Sequence, residues 1–125
     1  MARRSLGAYK KVQANTASPG QRVVMVYEGI RKSLKQAIDA INSKEPEGIS
    51  VANSQIHLAE QLISELKNAL DMRAGEVSVT LNDLYEFWLR HLTEANTTKD
   101  AQKAEEVKEM VEGLLEAWKE AVKKV

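Results

Sequence analysis

Two short motifs carry the residue types and spacing that could do metal or acid–base chemistry: "HLAE", His57 to Glu60, and "HLTE", His91 to Glu94. Each sets an imidazole three residues before a carboxylate, which places both on one face of a helix. Dinuclear carboxylate bundles use the opposite order, glutamate three residues before histidine, with further glutamates from the other two helices. A hairpin turning around residues 72 to 77 would bring His57 and His91 to nearly the same level. The preceding helix then offers Ser33 at that level, not a glutamate, and both histidines fall beside the apolar stripes. Flank histidines, hydrogen-bonded or solvated, are therefore the stronger reading and a metal-binding bundle the weaker.

Nothing else reads as a reactive centre. The chain has no cysteine, hence no thiolate nucleophile, disulfide framework or cysteine metal site. No glycine-rich phosphate loop and no Ser/His/Asp arrangement stands out. A non-enzymatic protein with no cofactor, no catalytic residue and no metal residue is expected.

The elements that would position these motifs are helices. Ser18-Pro19-Gly20-Gln21 fits a capping box, with Pro19 at the first helical position. Helix 1 is expected from about Pro19 to Lys44, its core stripe being Val23, Val26, Ile30, Leu34, Ala37 and Ile41. "NSKEPEG" interrupts the period, and helix 2 follows from about Glu47 to Met72 on Ala52, Ile56, Ala59, Ile63, Leu66 and Leu70. Gly75 is read as a left-handed stop just beyond it. Helix 3 carries Val77, Leu81, Leu84, Trp88, Leu92 and Ala95 and closes at "EANTTKD". Helix 4 runs from about Asp100 to the end on Ala104, Val107, Val111, Leu114, Trp118 and Ala121 or Val122. Spacings of three and four are the helical period. Gly29 and Gly113 fall inside predicted helices, where close approach of another backbone would explain them.

Four such helices on short loops predict an all-α fold, an antiparallel up-down four-helix bundle over residues 16–125. Residues 1–15 form a separate N-terminal cap segment, with Leu6, Tyr9 and Val12 on a narrow apolar face too short to be a stable helix alone.

The 125 residues balance 18 Lys and Arg against 18 Asp and Glu. Zero net charge argues against nucleic-acid binding, which rewards phosphate neutralisation. No apolar run approaches the roughly 20 residues that span a bilayer, and no signal-peptide core precedes the bundle. No membrane insertion and a cytoplasmic location are expected.

What the bundle does not absorb is apolar surface. Helix 2 has a second stripe, Val51, Leu58 and Leu62, offset from the first. Helix 3 crowds Tyr85, Phe87, Trp88 and Leu89 together, too many around the helix to face one core. Such residues read either as a wide core or as a groove along helices 2 and 3 that accepts an apolar segment.

In order and spacing the chain resembles the bacterial flagellar secretion chaperones that bind flagellin. The matching pieces are Tyr9 with Val12, "TASPGQ" from Thr16, "MVYEG" from Met25, "LDMRAGE" from Leu70, "LNDLYEFWLRHLTEAN" from Leu81, and Ala117-Trp118. Departures are Val26 where leucine is common, a lone Gly75 in place of a double glycine, and Arg90-His91 in place of an Arg-Arg pair. The resemblance implies an antiparallel four-helix bundle with a short leading helix. It implies binding of the disordered C-terminal segment of flagellin, preventing premature polymerisation, and delivery of the complex to a component of the type III export gate. It also implies that Leu6 and Tyr9 lie over an apolar pocket that cargo needs. The partner-binding residues expected are Leu6, Tyr9, Val51, Leu58, Leu62, Tyr85, Trp88 and Leu89. A generic helical adaptor, or a homodimer formed through the same stripe, shares every physical feature except the ordered motifs.

Overall fold

The computed structural model describes residues 18–124. The segment 1–15, with Leu6 and Tyr9, lies outside the described residues. Four helices follow one another: α1 (Pro19–Ser43), α2 (Pro46–Asn68), α3 (Glu76–Thr98) and α4 (Ala101–Lys123), with a short 3₁₀ turn at Met72–Ala74. Among the described residues there is no strand.

Local chemistry starts each helix. Ser18 Oγ accepts from the Gln21 N–H at 3.2 Å while Gln21 Oε1 accepts from the Ser18 N–H at 3.0 Å, so the capping box closes as expected. Pro46 opens α2 at a position where its missing N–H costs nothing. Asp100 caps α4 by accepting from the N–H groups of Gln102 and Lys103. Lys44 and Lys99 end α1 and α3 in the left-handed conformation.

The helices form a ring in which α1 packs on α2 and α4, and α3 completes it against the same two. Side-chain pairs fix the sense of α2 and α3. Asn53 meets Asn96, Glu60 meets Thr93 and Lys67 meets Glu86, numbers rising on one helix as they fall on the other. The arrangement is an antiparallel four-helix bundle, as the periodicity predicts.

Several expected details are corrected. α2 stops at Asn68 rather than near Met72, because the chain must reverse there. Gly75 does not end α2; it stands at the N-cap of α3 with φ 111° and ψ −164°, a region open essentially to glycine alone. On α4 it is Leu115, not Leu114, that is buried. Val77, on the core stripe of α3, is 73% exposed. Of the two mid-helix glycines, Gly29 faces a side chain, Leu62, and Gly113 faces nothing within 4 Å. The close backbone approach occurs instead at Gly48, against the Ala40 carbonyl of α1.

Among the described residues, the core is closed at one end and open at the other. At the end with the α1–α2 and α3–α4 loops, buried residues reach Ile38, Gly48, Ala95 and Ala104. At the opposite end the outermost buried residues are Tyr27, Leu66, Tyr85 and Leu115, leaving the terminal turns of α1, α3 and α4 there without a buried side chain.

Candidate functional site

The open end has an aromatic floor. Tyr27 of α1 meets Tyr85 and Trp88 of α3 and Trp118 of α4 at centroid separations of 6.2–6.5 Å, and Tyr85 and Trp88 lie 5.4 Å apart. The Tyr27 and Tyr85 hydroxyls share a hydrogen bond of 2.6 Å across the bundle interior. The Trp88 indole N–H is buried without an acceptor, while the buried Trp118 indole N–H is turned to the Tyr27 hydroxyl.

Burial pushes both phenols above the ordinary tyrosine range; the hydrogen bond between them raises Tyr85 further and eases the shift on Tyr27. The folded state thus keeps phenol protons that an unfolded chain releases above about pH 10. The stabilisation tied to these hydroxyls is complete below that pH and is lost as pH rises past it. Urea midpoints measured by circular dichroism should be level from pH 7 to about 9 and fall above 10. A Tyr27→Phe/Tyr85→Phe double variant should fall less steeply; parallel curves would refute the assignment.

Above the floor lies a cleft of about 470 Å³ between the first turn of α1 and the last of α4, lined by Ser18, Pro19, Gly20, Gln21, Trp118, Ala121 and Val122. It is mainly apolar, with the Gln21 side chain engaged in the cap. This cleft was not legible in the sequence, because Gly20 and Val122 lie a full chain length apart. The only hint is that Trp118 and Val122 continue the α4 stripe beyond the last position the core can seal.

The expected groove residues are separated by the structure. At about 100° per residue, Val51, Leu58 and Leu62 share one flank of α2. That flank faces α1, since Leu62 Cδ1 lies 3.2 Å from where a Cβ on Gly29 would stand. The opposite flank carries Asn53, Glu60 and Lys67 and is tied to α3. The stripe therefore runs along the α1–α2 side, not along helices 2 and 3. Val51 and Leu58 are 45% and 42% exposed, and Leu62 is half-buried. Leu89 is half-buried on α3. Tyr85 and Trp88, at 2% and 0%, are core residues here and present no outer surface, because the inward stripe of α3 carries them beneath α1.

The histidines part company. His57 is exposed and pairs with Glu60 of its own helix at 3.3 Å. His91 turns towards α4, where Glu106 meets its Nε2 at 2.6 Å while Phe87 stacks on the ring at 5.1 Å. Among the described residues, no three His, Asp or Glu side chains gather as metal ligands. No described helix is long and apolar enough to cross a membrane.

Comparisons with known proteins agree along the chain. The family profile described as "Flagellar protein FliS" matches residues 2–125. The flagellar secretion chaperone FliS of Bacillus subtilis is 32% identical over 115 residues, covering 92% of this chain and 84% of the relative. That of Salmonella typhimurium is 32% identical over 120 residues, covering 90% and 86%. A solved structure, "Crystal structure of flagellar chaperone from bacteria", superposes with a TM-score of 0.77 at 14% identity, covering 97% of this chain and 99% of that one; it attests the fold.

Proposed function

The chain belongs to the family of flagellar protein FliS, and from that premise we propose that it is a cytoplasmic chaperone for flagellin export. It binds the disordered C-terminal segment of flagellin, keeps the subunit from polymerising early, and passes the complex to the type III export gate. The observation that carries this reading is the family match over residues 2–125. The exposed apolar stripe of α2 supports it by offering cargo a place to lie.

The physics suits the task. A disordered tail loses conformational entropy when it binds, so it needs a long apolar surface to offset that loss. Shallow stripes on the outside of the bundle give length without enclosing the guest, which leaves it releasable. Binding alone does this work, with no bond made or broken and no cofactor.

Leu6 and Tyr9 act in this reading as a built-in competitor. The sequence that carries them leads into Ser18 and Pro19, which line the apolar cleft beside Trp118. Occupying that cleft without flagellin and leaving it with flagellin would couple cargo loading to a change at the end of the bundle.

Pull-down with full-length flagellin beside flagellin lacking its C-terminal segment tests the assignment. Capture of the full-length form only is expected. Capture of both or of neither would reject it and return the generic adaptor or homodimer. In the same assay, Leu6→Ala/Tyr9→Ala should shift the dissociation constant with helicity intact; an unchanged constant removes the competitor and leaves the cargo.

A further inference from the structure

The two halves of α3 are held very differently. From Tyr85 to Ala95 the helix buries Tyr85, Trp88, Leu92 and Ala95. This half is also tied to both neighbours, with Thr93 and Asn96 bonded to Glu60 and Asn53 on α2, and His91 and Glu94 to Glu106 and Lys103 on α4. From Glu76 to Leu84 no side chain is fully buried. Among the described residues, no side chain of that stretch forms a hydrogen bond or ion pair with another helix; Asn82 bonds to Glu86 within α3. Leu81 and Leu84 only edge the core, and Val77 points along the inward stripe into open space.

The stretch also has a pivot and a catch. Its pivot is Gly75, at φ 111° between the 3₁₀ turn and the first turn of α3. Its catch is Tyr85, the first buried residue of α3, whose hydroxyl reaches diagonally across the bundle to Tyr27 of α1. Local opening takes the parts of a fold with few buried contacts first.

We propose that Glu76 to Leu84 is a flap that opens by local unfolding while the rest of the bundle stays folded, latched at its base by the Tyr27–Tyr85 hydrogen bond. Breaking that bond frees the last turn of the flap, and opening uncovers Leu81, Leu84 and one face of the Tyr85 ring beside Trp88, converting the open end of the core into an apolar mouth. The flap is a property of this chain alone and stands whatever cargo it carries.

Native-state hydrogen exchange on the full-length protein, read against urea, tests it. Amides of Thr80 to Leu84 should exchange at least about tenfold faster than those of Ile30 to Ile38, with little dependence on urea, because a local opening exposes little surface. Tyr85→Phe keeps the ring and removes the bond, and should accelerate Thr80 to Leu84 about fivefold. Tyr27→Phe should do the same from the other side, which keeps the test alive should either variant fold poorly. Equal rates and equal urea slopes for the two sets of amides would overturn the flap. Acceleration in the core with Thr80 to Leu84 unchanged would overturn the latch.

Discussion

Gly48→Ala should unfold at clearly lower urea than the parent chain, losing about 2–3 kcal/mol of stability, although alanine is the better helix former. An added Cβ at Gly48 would overlap the Ala40 carbonyl oxygen of α1 and stand 3.1 Å from its carbon and 3.0 Å from Ser43 Oγ. The first two are backbone atoms and cannot swing aside. Ser43 is itself engaged, donating to Ala40 O at 2.7 Å and accepting from the Glu45 N–H at 3.2 Å, so relief requires moving the whole α1–α2 corner. Alanine gains about 1 kcal/mol from helix propensity, less than the overpacking it causes. The internal control is Gly113→Ala, exposed on α4 with nothing within 4 Å, which should gain up to about 1 kcal/mol. Urea midpoints at constant slope read both signs. A Gly48→Ala midpoint equal to or above the parent's would mean the α1–α2 contact is loose.

That contrast also marks where the sequence was readable. Ser18-Pro19-Gly20-Gln21 is a local device, written in consecutive residues, and it forms as read. Which glycine bears a close backbone contact depends on the register of two helices against each other, so the unremarkable Gly48 carries it while Gly29 and Gly113 do not. The end of α2 fails for a related reason. Leu70 and Met72 continue the helical period, but the reversal into α3 is set by the tertiary turn and by the backbone state of Gly75. Leu114 and Leu115 both satisfy a three-or-four spacing from Val111, and only the drift of a straight helix against its neighbours decides between them. The Tyr27–Tyr85 bond joins residues 58 apart and has no local signature. For the candidate site, the identity of the α2 stripe was legible from its offset; which neighbour it faces was not. Residues at one flank of a helix are fixed by spacing, but the side on which the next helix packs is fixed by the whole ring.

The placement of that stripe gives the second large effect. Val51→Glu/Leu58→Glu should weaken binding of the flagellin C-terminal segment about a hundredfold, close to 2.8 kcal/mol. Both side chains are already half in water, so the folded bundle loses little; urea midpoint and helicity should stay near parental values. In the complex the same positions would be covered, and each carboxylate would have to lose its hydration against apolar cargo. Ile49→Glu separates this from a general effect of charge on α2. Ile49 is the more exposed residue, at 62%, but it sits one turn before Asn53, on the flank tied to α3. It should leave affinity within about threefold, under 1 kcal/mol. Titration calorimetry with the isolated segment reads all three chains. Loss of affinity in Ile49→Glu but not in the double variant would put the cargo back between α2 and α3. An unchanged constant in both would mean the exposed stripe of α2 is not where flagellin lies.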